Sequence, residues 1–325
     1  MTVRKLKIGC YGKLPFYKEY ISFGLEGVEP RAFKELVDKG EVQRGLTRRE
    51  ADINRLPKYF FLFHPSGARN ILIGTLFPSS DGLRPFPMAP FCSIPRKRIL
   101  KFYHMLPIYF EEVWNSFDAF ISQDFVDIRD FYEKARQIEL HVNRTFHDIE
   151  GYLRIRLEQT PVHALCPRAG PVPEEWPDWG LRVFKNLRIC AQTEQGRKKG
   201  DISLAFSIPV WGNREHRFFL VCFWLTLIRA VLRGIKGTPS VLFSDGEGLG
   251  SLHRVFILYR PIQPLDFVAM MEPEKENDFI SNLASDWGQI TRSAILSSSL
   301  VDTLKSPKSS LQDILNSLRS GFDGL

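Results

Sequence analysis

The sequence predicts a layered α/β protein, either α+β or α/β, in which helices flank a mixed, largely antiparallel central sheet and two halves pack together. Two pairs of apolar segments, within 59–77 and 239–259, are each separated by turn residues, as in antiparallel hairpins. The strands of the first pair are apolar throughout, which indicates burial on both faces. Segments 98–124 and 127–159 carry apolar residues at helical spacing and would supply the covering layers.

The N-terminal segments fit this architecture. Residues 6–14 form an apolar strand that stops at a glycine and a proline, which strand interiors disfavour. Residues 17–27 favour a short helix or irregular structure. A helix should follow over 29–39, because a proline suits its first turn and Gly40 would end it.

The hairpin and the helices come next. Strands at 59–63 and 70–77 flank a Pro-Ser-Gly turn, and 89–94 returns as a further strand. The helical pattern of 98–124 contains Pro107, which predicts a kink or a break there. The pattern of 127–159 predicts one long helix with a solvated polar face.

Residues 161–180 connect the halves and contain Trp176 and Trp179, which are either linker anchors or possible partner contacts. Residues 181–191 are compatible with strand or helix. The second half then predicts strands at 201–210, 239–243 and 254–259, and helices at 217–233, 264–271 and 274–288. The resulting divisions are an N-terminal α/β half (1–160), a linker or insertion (161–200), a C-terminal α/β half (201–290), and a flexible serine-rich tail with one weak helix (291–325).

Composition limits the function. The chain has 325 residues, 44% of them apolar, and a net charge of +7, which suits a folded protein with an ample core. Its basic residues form only short groups, such as 96–98 and 197–199, and no aromatic residues alternate with them, so we expect no nucleic-acid partner.

Cysteine usage and hydropathy predict a compartment. The five cysteines are widely spaced without a C-x-x-C pair, and four lie in apolar runs, as buried free thiols of a reducing compartment would. The longest apolar run, 218–228, is far short of the ~20 residues that span a bilayer. We therefore expect a cytoplasmic protein without a membrane span.

Enzyme motifs are missing from the sequence. It has no G-x-S-x-G elbow and no Walker A pattern, since Leu14 follows Gly12-Lys13 where a serine or threonine must bind magnesium. The glycines of 246–250 precede another strand and so indicate a hairpin turn and not a dinucleotide site. The seven histidines are dispersed. We predict no catalytic residues, no metal site and no cofactor.

Two loops nevertheless form a recognisable pattern. The first is the strand end Gly9-Cys10-Tyr11-Gly12-Lys13-Leu14-Pro15, and the second contains Pro78-Ser79-Ser80-Asp81 with Arg84 and Phe86-Pro87. These motifs resemble the TagF family of type VI secretion system-associated proteins. A weaker likeness continues through 239–242 to about Met271. The chain departs from the family pattern after the leucine-proline, where it has Lys18-Glu19-Tyr20, and its second loop is shorter.

The resemblance implies a cytoplasmic, non-catalytic regulator that represses type VI secretion after translation by binding a forkhead-associated scaffold protein. It also implies that the motif residues serve structure and interaction: Gly9, Gly12, Lys13, Leu14, Pro15, Ser79, Asp81, Arg84, Phe86 and Pro87. In this hypothesis Lys13 lies near Asp81 and fixes the two loops together. Two alternatives remain, namely an enzyme that uses Lys13 and Asp81 in one pocket, and a basic adaptor for nucleic acid.

Overall fold

A nine-stranded sheet forms the centre of the computed structural model, which describes residues 6–47, 57–82, 84–166, 176–195, 203–232, 237–245, 253–272, 279–287 and 294–321. The strands are β1 (Ile8–Leu14), β2 (Tyr17–Phe23), β3 (Tyr59–Phe63), β4 (Asn70–Leu76), β5 (Met88–Pro95), β6 (Ala205–Pro209), β7 (Ser240–Ser244), β8 (Arg254–Leu258) and β9 (Ser281–Asn282). Their order across the sheet is β2-β1-β5-β4-β3-β7-β8-β6-β9.

The sheet is largely antiparallel and continuous through both halves of the chain. Only the β6–β9 pair is parallel among the described strands. Strand β3 joins the halves, since it pairs with β4 on one side and with β7 on the other, where Phe61 lies opposite Leu242. The predicted class, a mixed and largely antiparallel sheet with helical cover, is confirmed.

Helices cover both faces of the sheet. The α-helices are α1 (Val28–Thr47), α2 (Arg96–Ile99), α3 (Leu106–Tyr109), α4 (Glu111–Ile121), α5 (Ile128–Gln137), α6 (Phe146–Gln159), α7 (Trp176–Gln195), α8 (Arg214–Val231), α9 (Pro264–Met271), α10 (Ser298–Lys305) and α11 (Leu311–Gly321). Two 3₁₀ segments span Leu100–Met105 and Val162–Leu165.

Alternating residues of β3 show how the two layers form. Phe60 faces the core that α4 and α8 cover, where its ring lies 5.2 Å from that of Trp114. Phe61 faces the opposite core, where it stacks on Phe33 of α1 at 4.6 Å. Helices α1 and α9 cover this second face, because an exposed apolar sheet face must be buried against another layer.

The N-terminal predictions are partly wrong. Residues 17–23, expected to be helical or irregular, form β2 against β1. Helix α1 continues past Gly40 to Thr47. The reason is packing: a Cβ at Gly40 would lie 2.4 Å from the Phe267 ring, so this glycine permits close contact with α9 and does not end the helix.

The two central helical patterns are both interrupted. The predicted break at Pro107 is confirmed, because a 3₁₀ segment ends there and Pro107 lies in the first turn of α3. The single helix expected over 127–159 is wrong. The backbone becomes extended at Ile138, and Thr145 restarts a helix through a capping box with Asp148.

Two predictions for the second half of the chain are resolved or corrected. Segment 181–191 lies within α7, so the described part of the proposed linker is largely helical. The predicted helix over 274–288 is wrong for 279–287, which hold β9 and turns. The basic group at 197–199 and the predicted turn at 246–250 lie outside the described residues.

The tail was predicted to be flexible with one weak helix; that helix is α11, and a second helix, α10, precedes it. Four leucines and an isoleucine on the inner faces of these helices are buried in the core that α8 covers, and this burial explains why the segment folds. They are Leu300, Leu304, Leu311, Ile314 and Leu315. Trp176 and Trp179, proposed as partner contacts, are also buried. The Trp176 indole donates to the Leu304 carbonyl at 2.8 Å, so it anchors the tail and is not open to a partner.

All five cysteines are free and buried. Burial raises the pKa of the Cys190 thiol to about 12 and those of Cys10, Cys92 and Cys222 further. Within the described parts of the chain, no helix has the length and apolarity that crossing a bilayer requires.

Candidate functional site

The two motif loops meet at one end of the sheet. Strand β1 runs antiparallel to β5, so Gly12 near the end of β1 lies opposite Met88 at the start of β5. The second loop closes beside it: Phe77 and Met88 exchange both backbone hydrogen bonds, and the Phe86 amide donates to the Ser79 carbonyl at 2.9 Å. The topology thus brings together residues that are nearly seventy positions apart.

Two hydrogen bonds join these loops, and a third lies within the second loop. Lys13 Nζ donates to Asp81 Oδ2 at 2.6 Å, and the two side chains are only 13% and 11% exposed. The Ser79 hydroxyl donates to the Lys13 carbonyl at 2.7 Å. The Arg84 amide donates to Asp81 Oδ1 at 2.7 Å, which closes the loop on itself. The predicted contact between Lys13 and Asp81 is confirmed.

The motif glycines permit close approach of the backbone. Gly12 has φ +144°, and a Cβ there would lie 2.2 Å from the Pro87 carbonyl oxygen. A Cβ at Gly9 would lie 2.3 Å from the Phe91 ring. Only glycine fits at both positions, and Gly12 also needs a backbone conformation that other residues rarely adopt.

The remaining motif residues anchor the loops. Leu14 is buried in the core that α4 covers, and Pro15 begins the turn into β2. Phe86 is buried on the other side of the sheet, where its edge meets the Tyr20 ring at 5.1 Å. Arg84 is exposed.

A cleft of about 550 Å³ opens beside this junction, between β1, β2, the second loop and α1. Tyr11, Tyr20 and Phe86 form its aromatic wall, with Tyr11 and Tyr20 nearly parallel at 6.0 Å. Lys13 Nζ lies 4.5 Å from the centre of the Tyr20 ring, a favourable cation–π distance. Lys34 Nζ lies 4.7 Å from the centre of the Tyr11 ring.

Helix α1 supplies the charged wall of the cleft, which the sequence did not reveal. Lys34 and Asp38, one helical turn apart, form an ion pair, and the Tyr11 hydroxyl donates to Asp38. Burial and the Asp38 carboxylate together raise the Tyr11 pKa well above its usual range. Further along, Arg44 pairs with Glu41. The i,i+4 and i,i+3 spacing of these pairs was visible, but it is common on solvated helices and did not indicate a cleft.

A second group of charges lies at the same end of the sheet but on the face covered by α4 and α8. Lys58 Nζ contacts Asp245 at 2.6 Å and Asp118 at 2.9 Å. Two arginines from the first turns of α8 join them: Arg214 contacts Asp118 at 2.8 Å, and Arg217 contacts Asp245 at 3.3 Å. The group joins four separate chain segments, so sequence spacing could not reveal it.

Comparisons with known proteins include a weak structural match. No family model matches the chain, and no curated protein matches its sequence. The crystal structure of PA0076 from Pseudomonas aeruginosa PAO1 is similar with a TM-score of 0.42 and 15% sequence identity, over 83% of this chain and 96% of that one. A likeness at this level carries no argument about function.

Proposed function

We propose that this protein is a non-catalytic regulator of a type VI secretion system that binds a forkhead-associated scaffold protein and represses secretion after translation. The proposal rests on the resemblance of its two loop motifs to the TagF family. The observation that carries it is the Lys13–Asp81 contact at 2.6 Å, which joins the two motifs. This contact makes the two motifs parts of one surface, as the resemblance implies.

The geometry of this contact favours a structural role over catalysis. Asp81 accepts from Lys13 through Oδ2 and from the Arg84 amide through Oδ1, so both carboxylate oxygens are engaged in holding the loops. A general base needs an oxygen within reach of a substrate proton. The pair meets the distance condition of the enzyme alternative, but both carboxylate oxygens already accept hydrogen bonds that hold the loops.

We further propose that the protein acts in the cytoplasm, where a secretion-system scaffold is accessible and the five free thiols stay reduced. Partner binding would use the surface around the two loops, because Lys13 and Asp81 hold that end of the sheet in a fixed shape. A surface already fixed loses little conformational entropy when a partner binds.

The test is made in the native bacterium. Affinity capture of the tagged chain should recover a forkhead-associated protein of a type VI system, and deletion of the gene should increase secretion through that system. Complementation with Arg154→Glu, a change on exposed α6, should restore repression. If capture recovers no secretion-system component and deletion leaves secretion unchanged, the proposal is wrong.

A further inference from the structure

The cleft between β2 and α1 has the chemistry of a peptide-binding site. We propose that it binds an extended peptide segment in which one acidic side chain stands next to a large apolar residue. This inference deepens the proposed function, since it names the kind of partner segment that would dock. It rests on three features of the cleft: its charge balance, its exposed aromatic and aliphatic rim, and its rigid floor.

Among the described residues that line the cleft, the cations exceed the carboxylates by one. Three cations of the cleft are matched by carboxylates, with Lys13 on Asp81, Lys34 on Asp38, and Arg44 on Glu41. Arg84 also lines the cleft and is exposed, and its guanidinium has no carboxylate partner within the part of the chain that the structure describes.

An excess of one positive charge selects a ligand with one anionic group. A guanidinium binds a carboxylate through two parallel hydrogen bonds, which adds geometric specificity to the attraction. A polyanion such as nucleic acid would instead need several free cations along its backbone. The cleft therefore fits a single aspartate or glutamate better than a chain of phosphates.

The rim supplies the apolar contact. Tyr20 is 48% exposed and Val42 is 67% exposed, and both line the cleft from opposite sides. Exposed tyrosines are favoured at interfaces because a large, rigid ring buries much area at little entropic cost. A volume of about 550 Å³ lies within the range of ligand sites and has room for neighbouring side chains of a peptide.

The floor is held rigidly. Phe86 packs edge-on against Tyr20 at 5.1 Å, and the Tyr11 hydroxyl is fixed by Asp38 from below. The Arg84 amide donates to Asp81, which in turn accepts from Lys13, so the backbone that carries this guanidinium is tied to β1. The site is thus built before a ligand arrives, and this lowers the cost of binding.

The experiment is a selection of random linear peptides displayed on phage against the full chain, without prior selection against any variant. Enriched peptides should carry an aspartate or glutamate beside an aromatic or aliphatic residue. Their dissociation constants, measured by fluorescence polarisation, should rise about tenfold or more with Arg84→Glu. Tyr20→Leu should weaken binding as well. The matched control, Arg154→Glu on the exposed face of α6, should bind peptides like the wild type.

Three results would overturn the inference: no enriched peptide, enrichment of basic or uncharged peptides, or equal affinity for Arg84→Glu and the control. Circular dichroism of each variant checks that it is folded. The same variants are then measured against the purified forkhead-associated protein. If that protein binds but ignores Arg84→Glu, the cleft inference fails and the proposed function stands. If acidic peptides bind through Arg84 but that protein does not bind, the proposed function fails alone.

Discussion

Replacing Lys13 by methionine should destabilise the protein by about 2–3 kcal/mol, because Asp81 would lose its cation at a site only 11% exposed. Fully buried pairs lose about 3–5 kcal/mol when one partner is removed, and exposed pairs contribute about 0–1 kcal/mol. The Lys13–Asp81 pair lies nearer the buried limit. Methionine keeps the length of the side chain, so the loss reports mainly the charge.

Guanidinium denaturation measures this loss, and a double-mutant cycle with Asp81→Asn isolates the pair. We expect a coupling energy of about 1 kcal/mol or more, since the two side chains are in direct contact. Lys39→Met is the control, because the Lys39–Glu35 pair on α1 is 62% and 63% exposed, so its loss should destabilise the protein far less. If both lysine variants lose the same stability and the cycle is additive, Lys13 does not fix the loops.

Three further changes probe other parts of the fold. Gly12→Ala should destabilise by about 2–4 kcal/mol in the same denaturation assay, because of its positive φ and the close Pro87 carbonyl. Gly45→Ala on α1, where no atom of the described residues lies within 4 Å of the added Cβ, should stabilise by about 0.5–1 kcal/mol. Equal effects of the two changes would contradict this. Trp176→Phe removes the indole N–H that donates to the buried Leu304 carbonyl, and should destabilise the tail by about 1–2 kcal/mol. We expect faster hydrogen exchange in α10; unchanged exchange there would show that the indole does not anchor the tail. Burial and then Arg229 lower the His104 pKa to about 4, so the unfolded chain binds more protons between pH 6.5 and 4, and stability should fall as pH drops through that window. His104→Gln should lessen that fall, and identical pH profiles would refute the assignment.

Local patterns were sufficient where a strand or helix was specified by its own neighbours. The apolar runs of β3 and β4 and the turn between them gave the central hairpin, and Pro107 gave the break before α3. Local patterns failed where tertiary packing determined the secondary structure. Gly40 resembles a helix stop but lies against Phe267, and β2 is a strand only because β1 offers a partner.

The serine-rich tail illustrates the same limit. Its serines suggested disorder, but its apolar residues at helical spacing are enough to bury two helices once α7 and α8 provide a surface. Composition reports the average polarity of a segment and not whether a complementary surface exists elsewhere in the fold.

The site was half predictable. Lys13 and Asp81 could be paired from the sequence, because the resemblance of the two motifs to the TagF family implies that the two loops belong together. The sequence could not predict the contribution of Tyr20, Lys34 and Asp38 to the cleft, since the strand character of β2 and the placement of α1 over β1 depend on long-range packing. Arg84 was part of the motif, but its freedom from a carboxylate partner among the described residues emerges only in three dimensions.

The central claim is that this chain regulates by binding a forkhead-associated scaffold protein. Isothermal titration calorimetry of the two purified full-length proteins, from the same organism, tests it most directly. We predict saturable binding that weakens with Arg84→Glu and persists with Arg154→Glu. The absence of binding between two folded partners would contradict the account.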